Sequence, residues 1–147
     1  MVSKQQAMNI RNATYHDAPV IKSLLEALGY KTRNSILIEQ LESKFNKDEN
    51  QVLVCEMRKE VVGFVAVHFI PQFAFEGCRA LISYLSVDND LKDQGIEKAL
   101  EQYVAEQAKK RKCIEIIAHG KIVSQFYLQH GYQEHTSYFS KRLRDDE

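Results

Sequence analysis

The sequence carries no net charge, with 20 basic residues set against 20 acidic ones in 147. Nucleic-acid binding draws on a basic face, so that class of partner is not expected. There is no apolar run of the ~20 residues that a membrane-spanning helix needs. Residues 1–8 lack the apolar centre of a signal peptide and read as a flexible polar tail, through Ser3, Lys4, Gln5 and Gln6, ahead of one domain over 9–147. Cysteine is scarce and odd in number. Cys55, Cys78 and Cys113 form no Cys-x-x-Cys pair, which removes the usual zinc and redox motifs. Cys55 and Cys113 lie in apolar runs and are expected as buried thiols in a reducing, cytoplasmic setting. No cluster of metal ligands, internal repeat, low-complexity stretch or linker interrupts the chain.

What is present is a globular composition, 44% hydrophobic and 27% charged, on a length suited to one core. A short strand is expected over 9–13. Thr14 and Asp17 then make a capping-box-like entry, with Pro19 in the first turn. Val20, Ile21, Leu24, Leu25 and Leu28 recur at helical spacing up to Gly29. A second helix is expected over 34–45, with Leu37, Leu41 and Phe45 on one face. Two β-rich runs, 51–57 and 60–70, flank Arg58-Lys59, which predicts a hairpin. A loop over 71–77 leads to a strand over 81–87. The period turns helical over 95–111, with Ile96, Ala99, Leu100, Tyr103, Val104 and Ala108 on one side. A strand over 113–118, a short helix over 122–130 and a last strand over 138–143 complete the order β-α-α-β-β-β-α-β-α-β. That order predicts an α/β domain with a mixed central sheet flanked by helices.

Three segments carry a resemblance. Ile10-Arg11-Asn12-Ala13-Thr14-Tyr15-His16-Asp17 forms the opening strand and helix entry. Leu85-Ser86-Val87 precedes Lys92-Asp93-Gln94-Gly95-Ile96-Glu97-Lys98-Ala99-Leu100. Phe126-Tyr127-Leu128-Gln129-His130-Gly131-Tyr132 comes before the expected last strand. Together with the element order, they resemble the GNAT family of acetyltransferases over nearly the whole chain, and among these the small-amine enzymes such as aminoglycoside and aminoalkylphosphonate acetyltransferases.

The resemblance implies acetyl-CoA as co-substrate and a direct transfer of its acetyl group to a small amine. It implies that the strand backbone at Leu85, Ser86 and Val87 holds the pantetheine arm. The loop and helix start at Lys92, Gln94, Gly95, Ile96, Glu97 and Lys98 would hold the pyrophosphate. A helix N-terminus suits that task through its free N–H groups and positive dipole end. Tyr127 falls at the family's proton donor to the leaving thiolate. Tyr84 falls where related enzymes often carry a glutamate base.

The sequence departs from the family pattern at three places. Glu97 replaces a Gly or Ala, and a carboxylate ~5 Å from a phosphate at an effective dielectric of ~20 repels it by roughly 3 kcal/mol. Gly120 stands where an Asn commonly binds the pantetheine arm. No Glu or Asp occupies the strand carrying Tyr84, which leaves His68 and Glu76 as the nearest alternative bases. Tyr30, Phe73 and Phe75, with Lys31, Arg33 and Arg79, are candidates for the acceptor side or for a dimer face. Two functions are therefore carried forward. One is an N-acetyltransferase for a small amine; the other is a non-catalytic module of the same fold that acts through protein contacts or homodimerisation, with weak or no CoA binding.

Overall fold

The computed structural model describes residues 7–91, 94–119, 124–135 and 137–145, and of Ser124 only the backbone. The elements are β1 (Met8–Asn12), α1 (Ala18–Ala27), α2 (Asn34–Ser43), β2 (Asn50–Met57), β3 (Glu60–Pro71), β4 (Cys78–Val87), α3 (Ile96–Lys110), β5 (Cys113–Ala118) and α4 (Ser124–Gln129). The strands form one sheet in the order β1-β2-β3-β4-β5. Pairing is antiparallel from β1 to β4 and parallel between β4 and β5, with α3 as the crossover. The expected mixed α/β architecture is thus the one observed.

Both faces of the sheet are covered, so its central strands are apolar on both sides. Leu53, Val65, Ile82 and Leu85 pack with Ile96, Leu100 and Val104 of α3. Val54, Phe64 and Ala66 pack on the other face with Ile21, Leu24 and Leu25 of α1 and Leu41 of α2. Arg58 and Lys59 have φ of 55° and 65°, the positive values that a two-residue hairpin turn requires to match strand twist. Gly29, at φ 97°, lets the chain reverse after α1, and the Tyr30 N–H donates to Leu25 O at 3.1 Å. This pattern satisfies helix-end carbonyls.

Gly63 fixes where α3 begins. A Cβ there would lie 3.1 Å from Ile96 Cγ2 and 3.2 Å from Ser86 O, and Ile96 is fully buried. Gly63→Ala is expected to cost about 1–2 kcal/mol by overpacking, read as a lower urea midpoint with an unchanged m-value.

Two expectations are corrected. Residues 138–143 form no strand. Tyr138 stacks on His119 at 5.7 Å between ring centroids, while Phe139 and Leu143 are exposed. A β-prone run becomes a strand only with an edge to pair and a face to bury, and this run has neither among the described residues. The second correction concerns the cysteines. Cys55 is a buried free thiol, as expected, but Cys78 and Cys113 are joined in a disulfide across 35 residues. They are register partners at the starts of β4 and β5, a proximity that only the parallel pairing creates. A disulfide is ordinary in oxidising compartments, so cysteine usage no longer argues for a reducing one.

Candidate active site

The β4–β5 pairing runs only from Cys78↔Cys113 to Ile82↔Ala118. The His119 N–H donates to Ile82 O at 3.1 Å, and β5 has by then ended. β4 continues through residues 83–87 with β3 on one side and no strand on the other among the described residues. Leu85, Ser86 and Val87 are all buried. Their side chains are committed to packing, and the Ser86 Oγ donates to Leu24 O of α1 at 2.9 Å. What this stretch can offer a ligand is therefore its main chain, along an edge that no strand covers among the described residues.

Past β4, a 3₁₀ turn at Asn89–Leu91 leads to the start of α3. Lys92 and Asp93 lie outside the described residues. Gln94 and Gly95 are exposed, and Gly95 caps α3 at φ 82° with no side-chain hydrogen bond to the first turn. A Cβ at Gly95 would meet nothing within 4 Å. The amides of Ile96, Glu97 and Lys98 have no hydrogen-bond acceptor among the described residues; such free amides are the groups that can hold an anion at a helix start. Glu97 is half-buried in this first turn, with no hydrogen bond or ion pair among the described residues.

α4 places the aromatic pair. Gly131, at φ 91°, turns the chain back so that the His130 and Tyr132 N–H groups donate to Tyr127 O at 3.0 and 3.1 Å. The Tyr127 and Tyr132 rings then meet at 5.0 Å, and the Tyr132 hydroxyl donates to Glu101 Oε2 on α3 at 2.8 Å. This explains the Gly-Tyr ending of the segment: the glycine permits the reversal and the tyrosine ties it to α3. Tyr127 is 6% exposed, yet its hydroxyl has no hydrogen-bond partner among the described residues. Burial, followed by the Glu101 charge, pushes its pKa well above the ordinary phenol value. Buried polar groups are nearly always paired, and the Tyr127 hydroxyl is a donor left over among the described residues. Gly120 and Ile122, before α4, lie outside the described residues.

Tyr84 sits on the opposite, α1–α2 face of β4, half-buried, with the Tyr30 ring edge-on at 5.1 Å. The structure brings these two together and leaves the loop aromatics elsewhere. Phe73 and Phe75 are exposed beyond the far end of β4, roughly 20 Å from Tyr84 at the rise of a strand. Arg79 is engaged by Glu115 at 2.7 Å, and Glu76 is exposed in the same loop. His68 faces the α1–α2 side, held between Asn50 and Ser83. Neither of those partners stands out by residue type, and only the strand register brings them to His68.

The comparison with known families bears on the whole of this arrangement, since it covers β2 to β5 and all four helices. The model of the acetyltransferase (GNAT) family matches residues 13–132. The chain belongs to the GNAT acetyltransferase family. It is thereby an enzyme of N-acetyl transfer by descent, and no curated protein sequence matches it.

Solved GNAT structures share the fold. An aminoglycoside N-acetyltransferase in complex with CoA superposes with a TM-score of 0.81 at 14% identity, covering 99% of this chain and 100% of that one. A ribosomal-protein-alanine N-acetyltransferase from Brucella melitensis biovar Abortus 2308 gives 0.77 at 20% identity, over 93% and 100%. An aminoglycoside acetyltransferase from an uncultured soil metagenomic sample, in complex with sisomicin, gives 0.73 at 20% identity, over 98% and 100%. At these identities the likeness is one of fold.

Proposed function

We propose that this GNAT enzyme transfers the acetyl group of acetyl-CoA to the amino group of a small molecule by direct attack. The observation that carries this reading is the buried, unpartnered hydroxyl of Tyr127. It is supported by the open edge of β4 and the uncapped start of α3, which fit the pantetheine arm and the pyrophosphate. The thioester, when bound, supplies the acetyl group: the amine nitrogen bonds to the carbonyl carbon and the carbon–sulfur bond breaks. The β4 backbone at Leu85 and Val87 orients the arm, and the amides of Ile96, Glu97 and Lys98 hold the phosphates, with Gln94 and Gly95 leaving room. Tyr127 donates a hydrogen bond to the sulfur as negative charge develops there; the acylated nitrogen sheds its second proton, and the sulfur takes up a proton and leaves as the thiol. Tyr84 and Tyr30 line the acceptor side. The aminoglycoside enzymes among the solved neighbours make a polyamine-like acceptor the first class to try.

Acetyl-CoA at 100 times its Kd is expected to stabilise the fold by ~2.7 kcal/mol, which raises the melting temperature by roughly 5–10 °C at this size. No shift at millimolar acetyl-CoA would overturn the proposal and leave the protein-contact module. Size-exclusion chromatography would then report whether that module is a homodimer. Glu97→Ala is expected to tighten acetyl-CoA about tenfold by calorimetry, because a half-buried carboxylate beside the phosphates is only partly screened. An unchanged Kd would show that Glu97 points away from the ligand.

A further inference from the structure

β4 carries one residue more than its partner. Ala66 pairs with Tyr84 and Val67 with Ile82, so Ser83 between them has no partner on β3. Such a bulge bends the strand and re-aims a side chain. This one follows Ile82 directly, at the point where β5 stops pairing and the gap begins. The re-aimed Ser83 Oγ lies 2.8 Å from His68 Nε2 on β3. His68 Nδ1 lies in turn 2.7 Å from Asn50 Oδ1 on β2. The three groups span three adjacent strands, half-buried, on the same side of the sheet as Tyr84 and Tyr30.

The chemistry of the partners gives this chain a direction. An amide oxygen only accepts, so His68 carries its hydrogen on Nδ1 and donates it to Asn50. Nε2 is then left with a lone pair, toward which the Ser83 hydroxyl points. The other acceptor near Ser83, Ala66 O, is at 3.5 Å, too long to compete. Ser83 keeps its own oxygen lone pairs for a donor arriving from the gap. Burial lowers the pKa of His68, which keeps the imidazole neutral and able to accept a proton.

We propose that Asn50, His68 and Ser83 form the proton relay that deprotonates the incoming amine. This rests on the acetyl-transfer reading and deepens it. An ammonium group donates a proton to Ser83 Oγ as the Ser83 proton passes to His68 Nε2. The amine is left neutral with its lone pair free, Ser83 is again a neutral hydroxyl, and His68 is an imidazolium whose Nδ1–H stays on Asn50. The imidazolium then returns the proton to solvent. In this scheme Ser83 touches the substrate, His68 is the base, and Asn50 is a positioning residue that selects the tautomer.

The test has two arms on the full chain. The ¹⁵N shifts of the His68 ring are expected to show the Nδ1–H tautomer; an Nε2–H tautomer overturns the relay whatever the activity. With acetyl-CoA as donor and sisomicin, then a panel of small primary amines, as acceptor, Ser83→Ala is expected to lower kcat by about 10–100-fold and His68→Ala by about 10²–10³-fold. Kd for acetyl-CoA stays within about threefold in both variants and KM for the amine does so in His68→Ala, since His68 acts on the proton and does not touch the substrate. Added imidazole restores part of the rate of His68→Ala and none of that of Ser83→Ala, a pattern that a packing defect would not give. Wild-type kcat in both variants overturns the relay alone. Failure of the wild-type protein to bind acetyl-CoA overturns the acetyl-transfer reading and the relay with it.

Discussion

Tyr127→Phe is expected to yield a protein that is more stable and far less active. The two effects have one cause. The hydroxyl is buried and makes no hydrogen bond among the described residues, so the folded state bears its desolvation without return. Deleting such an atom while keeping the ring is expected to raise stability by about 1–2 kcal/mol, or roughly 2–8 °C in melting temperature. The same deletion removes the hydrogen that would meet the leaving sulfur, and kcat is expected to fall by about 10²–10⁴-fold. Binding of acetyl-CoA should hardly change, because the ring and its packing against Tyr132 remain. Calorimetric melting and a thiol-release assay on the same preparation decide the matter. A variant that melts lower shows that the hydroxyl is already partnered; one that melts higher but keeps its rate shows that Tyr127 is core and nothing more. The raised pKa sharpens the role. Tyr127 stays neutral across the working pH range, so in the proposed reaction it would serve as a hydrogen-bond donor to developing charge rather than as a group that titrates.

The features legible in the sequence are those whose physics is local. Arg58-Lys59 between two β-rich runs had one economical solution, a two-residue turn, and both residues adopt the positive φ it needs. Gly131 marks the end of the short helix over 122–130, and it adopts the positive φ that such an end favours. Thr14 and Asp17 signal a helix entry by spacing alone, and the Asp17 carboxylate does accept from the Thr14 N–H at 2.8 Å. The features that escaped depend on register. Cys78 and Cys113 are 35 residues apart and meet only because β4 and β5 run parallel from the same level. Ser83 has no distinction in a run of apolar residues until the bulge singles it out. Asn50 reads as a turn residue until β2 places it opposite His68. The expected strand over 138–143 failed for the converse reason: its propensity is local, whereas the partner edge a strand requires is not.

Asp17→Ala is expected to be the most damaging substitution outside the core. Asp17 is 7% exposed and sits at the junction of β1, β2 and the entry to α1. Arg11 Nη1 and Nη2 donate to its two carboxylate oxygens at 2.9 and 3.0 Å, and Arg11 Nε donates to Glu56 on β2 at 3.0 Å. Removing the aspartate leaves a guanidinium half-satisfied and the Thr14 N–H without its acceptor. Breaking a fully buried pair costs about 3–5 kcal/mol. The Arg11 side chain is 32% exposed and partly screened, so about 2–3 kcal/mol is expected here. The pH dependence carries the sign. Burial alone pushes the Asp17 pKa up, but the hydrogen bonds from Arg11 and Thr14, with the Arg11 charge, outweigh it and hold the pKa below the ordinary 3.8. A group with a lowered folded pKa contributes its full stability above the unfolded value and loses it as pH falls through the folded one. Urea midpoints of the wild-type protein should therefore decline below about pH 4. Asp17→Asn should start lower at pH 7 and decline less, so that the two curves converge in acid. Parallel curves would mean that Asp17 contributes shape and not charge. The stake reaches the site, because the helix anchored at Asp17 is the one whose Leu24 carbonyl accepts from Ser86 on β4. If the anchor is cut, acetyl-CoA binding should weaken even at temperatures where the fold survives, since the open edge of β4 is braced from that side.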